Sequence, residues 1–143
     1  MRLRRFGLLA FSVVALAGCG GGGDNESEGE GDEAQIECRA DAFDGDLGLP
    51  QSFPEPAEFV ATESTQEGPT RVVVGYWESD LEEAYNEWKD MVEEAGFNIT
   101  FDEIEEHDAE VAYEGNGRTG IIQLRDKCTE DEVTYVRITS RPE

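Results

Sequence analysis

Few side chains in this 143-residue chain are of a type that does chemistry. His107 is the only histidine, set in the acidic run Asp102-Glu103-Ile104-Glu105-Glu106-His107-Asp108. An imidazole among carboxylates could sense pH or ligate a metal. A solvated turn histidine is the better reading, because no pattern in the sequence brings a nucleophile beside the ring. There is no G-x-S-x-G and no Ser-His-Asp arrangement. The chain has 34 acidic residues, so a carboxylate pair with the separation that glycoside hydrolysis needs arises by chance. Asp41, Asp44 and Asp46 around Gly45 offer the hard oxygen ligands that suit calcium. The closing glutamate of a calcium loop is missing, with Phe53 or Pro54 where it would fall, and a turn is the reading. Gly20 to Gly23 are followed by neither Lys-Ser nor a strand–helix unit, so they make no phosphate cradle. No catalytic residue, metal set or cofactor is expected.

The N-terminus carries an address. Met1-Arg2-Leu3-Arg4-Arg5 is a basic start, and an apolar run of 12 residues follows from Phe6 to Ala17. That run is shorter than the roughly 20 residues a bilayer-spanning helix needs. A basic start, a short apolar stretch and a small-residue end make an export signal. Its last residues, Leu16-Ala17-Gly18-Cys19, resemble the lipobox of prokaryotic lipoproteins. The resemblance implies cleavage before Cys19, a diacylglyceryl thioether on its sulfur, and a location at the cell membrane facing outside the cytoplasm. Two acyl chains hold a protein on a membrane where one is marginal. Residues 1–18 are then the signal peptide. Residues 19–34 are a lipidated cysteine followed by an acidic, glycine-rich tether that lacks the apolar side chains to order itself.

With Cys19 assigned to the lipid, Cys38 and Cys128 remain as an even pair in an oxidising compartment, and a disulfide is expected between them. It would enclose 89 residues and contribute roughly 4 kcal/mol in the chain-entropy account. The alternative is a metal site using both thiolates with His107. No C-x-x-C or H-x-x-x-H spacing supports it.

Charge narrows the partners. Removing Arg2, Arg4 and Arg5 takes the formal charge from −23 to −26. Such a chain is soluble and repels phosphate backbones and anionic head groups, so nucleic-acid binding is excluded. The partners that remain are the membrane, through the lipid on Cys19, and an envelope protein or a cation.

Residues 35–143 suffice for one domain with one core. Strands are expected at Glu58–Glu63, with Phe59 and Ala61 on one face, and at Arg71–Trp77. The turn Gln66-Glu67-Gly68-Pro69 lies between them. Ser79 is expected to cap a helix over about 79–95, with Glu82 completing a capping box. Leu81, Ala84, Tyr85, Trp88, Met91, Val92 and Ala95 form its apolar face, which with Trp77 belongs to the core. Gly96 ends the helix. Phe97, Ile99 and Phe101 alternate as one face of a half-buried strand, and Glu103 to Asp108 read as an acidic turn. Ala109–Glu114 and Arg118–Arg125 flank the hairpin turn Gly115-Asn116-Gly117. Glu132–Ser140 is the last strand. The order is β-β-α-β-β-β-β. It predicts an α+β fold: an antiparallel sheet of five to six strands with one amphipathic helix on one face. The Pro-rich segment Asp41–Pro56, the helix ending and the hairpin are similar to small uncharacterised domains found behind lipoboxes. That likeness implies an architecture and no activity.

The expectation is a membrane-anchored, secreted lipoprotein with a non-enzymatic binding or accessory domain. The contact surface would be the sheet face that the helix leaves bare, with Arg71, Arg118, Arg125 and Arg137 as candidate contacts. A small envelope hydrolase using acidic residues and a weak extracellular cation-binding protein are the alternatives.

Overall fold

The computed structural model describes residues 34–143. The expected signal peptide, Cys19 and all but the end of the expected tether lie outside the described residues. Six strands form one antiparallel sheet: β1 (Phe59–Glu67), β2 (Thr70–Trp77), β3 (Asn98–Ile104), β4 (Asp108–Gly115), β5 (Arg118–Arg125) and β6 (Thr134–Pro142). Their spatial order is β1-β2-β6-β5-β4-β3. A single helix, α1 (Leu81–Glu94), links β2 to β3. It leaves the sheet interior beside β6, crosses one face over β5 and β4, and delivers the chain to β3 at the far edge. The meander β3-β4-β5-β6 then returns to pair with β2. The predicted α+β architecture and element order are those observed.

The helix forms where its apolar positions recur with helical spacing. Leu81, Ala84, Tyr85, Trp88 and Val92 are buried on one stripe, and Met91 and Ala95 pack at its margin. The cap differs from expectation by one residue. Asp80 is the N-cap, with its Oδ1 accepting the Glu83 amide at 2.9 Å. Ser79 is instead tied to the sheet, since its carbonyl accepts the Thr134 hydroxyl at 2.9 Å. A carboxylate at this position also meets the positive end of the helix dipole, which a serine hydroxyl does not. Gly96 follows with φ +85°, as predicted for a left-handed helix end.

The core lies between α1 and the sheet. Trp88 is at its centre, with ring centroids 5.4 Å from both Trp77 and Phe59 and 6.1 Å from Phe53. Aromatic pairs at such separations contribute about 0.5–1.5 kcal/mol each beyond burial. Phe53 comes from the Pro-rich lead-in and also touches Phe97 and Tyr113. The lead-in is therefore a second cover for the helix side of the sheet.

Two boundaries moved because pairing continued past the local turn signals. β1 runs on to Glu67 opposite Thr70, and β3 continues to Ile104 opposite Ala109. What remains of the expected acidic turn is closed by the Glu105 amide on the Asp108 carbonyl at 2.8 Å. β6 begins two residues late and runs to Pro142, because Glu132 sits in a turn at φ 54°. In β3 the register shifts between Ile99 and Phe101. An extra residue in one strand reverses the alternation beyond it. Ile99 thus pairs beside Tyr113 on the helix side, while Phe101 pairs beside Ala112 on the opposite side and is 50 % exposed. The expected single face Phe97-Ile99-Phe101 is split by this bulge.

Candidate functional site

Register assigns every strand residue to a side. Val73 of β2, Ile138 of β6 and Ile122 of β5 are fully buried in the helix-side core, and they lie directly opposite one another. Residues one position away point to the other face, which carries no helix. Four rows cross that bare face, the outermost through Arg141, Thr119, Glu114 and Asn98. One reads Val60-Tyr76-Tyr135-Arg125-Asp108 from β1 to β4. The next reads Glu63-Val74-Arg137-Gln123-Glu110-Glu103, and the third Thr65-Val72-Thr139-Ile121-Ala112-Phe101, both from β1 to β3.

The middle row is a polar relay. Arg137 Nη1 donates to Gln123 Oε1 at 3.2 Å, and Gln123 Nε2 donates to Glu110 Oε1 at 2.7 Å. This chain spans β6, β5 and β4 and ties the Arg137 guanidinium to the sheet surface. Beside it, Lys127 Nζ lies 3.9 Å from the centroid of the Tyr135 ring, a cation–π contact. Burial raises the Tyr135 hydroxyl above its ordinary pKa, against the lowering pull of Arg137 and Arg125. The third row presents apolar surface, with Phe101 50 % and Ile121 37 % exposed.

Of the eight basic residues from Arg39 onward, Arg125, Lys127, Arg137 and Arg141 are on this face. They lie there among the carboxylates of Glu63, Glu103, Asp108 and Glu110 from the same rows, so the face carries both signs of charge. Arg71 and Arg118, expected as contacts beside them, are on the helix side of the sheet. Arg71 pairs beside Ser140 and packs under the lead-in, where a Cβ at Gly48 would come within 2.4 Å of its Nε. Arg118 donates from Nε to Ser140 Oγ at 3.2 Å. The reason is parity: Arg71 and Arg118 fall in step with the core positions of their strands, and Arg125 and Arg137 fall out of step.

Lys127, Tyr135, Gln123 and Glu110 belong to the face and were not singled out from the sequence. Part of the signal was there. In β6, Val136 and Ile138 alternate with Tyr135, Arg137, Thr139 and Arg141, which separates two faces without any structure.

One end of the bare face is closed by the disulfide. Cys38 and Cys128 are bonded, with Cα atoms 5.3 Å apart, and they pack with Tyr76, Val133 and Tyr135 in a second small core. Ile36 pairs beside Cys128 as a single parallel bridge. Glu130 locks this end. Its carboxylate accepts the amides of Arg39 at 2.8 Å and Cys38 at 3.1 Å, and these hydrogen bonds pull its pKa down to about 2. Arg39 then pairs with Glu78 at 2.6 Å. Both cysteine sulfurs are committed to the bridge, so the cluster they form with Glu130 offers no thiolate to a metal.

His107 is 70 % exposed in the β3–β4 turn, 3.9 Å from Glu106 and 3.8 Å from Asp126. Neither cysteine is among its partners. The Asp41–Asp46 segment is irregular with a bend at Gly45, and Asp46 Oδ1 accepts the Gly48 amide at 2.7 Å. Across the helix, Asp102 accepts from both the Tyr85 hydroxyl and Lys89. The Lys89 ammonium and the tyrosine hydroxyl together hold that carboxyl below the usual range. The hydrogen bond from Arg39 likewise lowers the Glu78 carboxyl, so Glu78, Asp102 and Glu130 all favour the ionised form.

No protein-family model, curated protein or solved structure matches this chain. Among the described residues, no helix is long and apolar enough to cross a membrane.

Proposed function

We propose that this chain is a lipid-anchored, secreted lipoprotein whose domain is a non-enzymatic binding or accessory module. Its contact surface is the bare sheet face, and its partner is an envelope protein. The observation that carries the reading is the make-up of that face. Exposed Phe101 and Ile121 lie one row from the Arg137–Gln123–Glu110 relay, and Arg125 and the Lys127–Tyr135 cation–π pair flank it on the other side. Apolar surface next to oriented arginine is the composition of interface centres. The anchor half of the reading rests on Leu16-Ala17-Gly18-Cys19.

In-cell crosslinking of the full chain, followed by mass spectrometry, tests the face. One envelope protein should be recovered with the unaltered chain and lost with Arg137→Glu or Ile121→Asp, while Glu94→Lys on the helix leaves it in place. Recovery that is indifferent to all three substitutions would sink the proposal. Cys19→Ser tests the anchor separately: the protein should move from the membrane fraction to the soluble fraction.

A further inference from the structure

We propose a second site: the cleft between the lead-in and β1 binds a small organic cation with an apolar body, such as an alkyl or aryl ammonium compound. The cleft has a volume of about 530 Å³, within the roughly 300–1,000 Å³ typical of small-molecule sites. Phe43, Leu47, Phe59 and Ala61 give it apolar walls and floor, and Asp46 and Glu55 supply its only charged side chains. Leu47, Phe59 and Ala61 are half-buried, whereas both carboxylates are exposed. Negative charge therefore sits towards solvent, with apolar surface behind it.

The walls are built before any ligand arrives. The Phe43 amide donates to the Ala61 carbonyl at 2.7 Å, and Ser64 Oγ donates to the Leu47 carbonyl at 2.8 Å. On the other arm the Phe59 amide donates to the Pro56 carbonyl at 3.3 Å. Asp46 is itself held by the Gly48 amide, so one carboxylate has a fixed direction. A pre-formed cleft avoids the ordering cost of binding.

Charge complementarity selects the occupant. An ammonium head meets two carboxylates while its hydrocarbon body displaces water from the apolar walls. A carboxylate head of the same length meets like charge locally and across the molecule. Of the sheet-face residues only Val60, at the β1 edge, borders this cleft, and neither the Arg137–Gln123–Glu110 relay nor Phe101 and Ile121 does, so it stands or falls apart from the partner reading.

The test is a titration of the full chain with hexyltrimethylammonium, followed by amide shifts in ¹H–¹⁵N spectra. Heptanoate serves as the anionic counterpart and tetramethylammonium as the head group alone. Saturable 1:1 binding should shift amides within 42–49 and 55–61, with both control compounds at least roughly tenfold weaker. Ala61→Trp should fill the cleft and abolish binding. Glu55→Lys, at an exposed position that keeps the fold, should weaken it about tenfold. Equal affinity for tetramethylammonium would reduce the effect to diffuse charge attraction and overturn the proposal. Equal affinity for heptanoate, or unchanged binding in Glu55→Lys, would overturn it as well.

Discussion

The Tyr113 hydroxyl donates to the carbonyl of Thr139 at 2.8 Å, reaching from β4 across β5 to β6. It passes over Gly120, which pairs directly beside Tyr113. A Cβ at Gly120 would lie 1.9 Å from the Thr139 oxygen and 2.6 Å from the tyrosine oxygen. Gly120→Ala should therefore destabilise the domain by about 3 kcal/mol or more, and Tyr113→Phe by about 1 kcal/mol. Urea unfolding monitored by tryptophan fluorescence gives both values. An alanine tolerated without loss would mean the crossing does not exist in solution.

Burial pushes Tyr113 up from 10.0 to about 12. A folded-state pKa above the unfolded value gives stability that is complete below the unfolded pKa and lost as pH rises through the folded one. Tyr113 should thus help to unfold the domain between about pH 10 and 12, and Tyr113→Phe should flatten that limb of the stability curve.

Glu130 works in the opposite direction. Its pKa falls from 4.5 to about 2, so its contribution is present above pH 4.5 and lost as pH falls towards 2. A carboxyl ¹³C titration should find Glu130 far below the other glutamates. Glu130→Gln should narrow the difference in stability between pH 5 and pH 3. An ordinary glutamate titration at this position would rule out the clamp on Cys38 and Arg39.

Replacing Cys38 and Cys128 together with serine should lower stability by roughly 4 kcal/mol. The second core around Tyr76, Val133 and Tyr135 should loosen with it. Amide exchange at Val133 and Tyr135 should quicken well before exchange at Val136 and Ile138. A loss under about 1 kcal/mol would show that the lead-in holds without the bridge.

The two candidate caps separate cleanly. Asp80→Ala removes the acceptor for the Glu83 amide and should cost about 1 kcal/mol, with faster exchange at Glu83. Ser79→Ala should leave that amide protected. The reverse pattern would restore Ser79 as the cap.

Much of this protein is local information, and that part was legible. The period of Leu81, Ala84, Tyr85, Trp88 and Val92 specifies a helix and its buried stripe, because both depend only on spacing along one element. Alternation and turn chemistry specify the strands and the Gly115-Asn116-Gly117 hairpin for the same reason. The pairing of Cys38 with Cys128 followed from the count, once Cys19 was set aside. The candidate face was legible only in part. Arg125 and Arg137 look no different from Arg71 and Arg118 until each strand is placed in register, and register is a relation between strands. Phe101 changed sides because of a bulge at Thr100, which no alternation within β3 could announce. The helix cap moved to Asp80 because Thr134, 55 positions away, holds the carbonyl of Ser79. The cleft required residues of the lead-in and β1 to meet, and its walls are hydrogen bonds between segments that propensity treats separately. Sequence determined the elements and their apolar faces, since these arise from near neighbours. Tertiary structure decided which side chains share a surface, since that depends on pairing and packing between residues far apart in the chain.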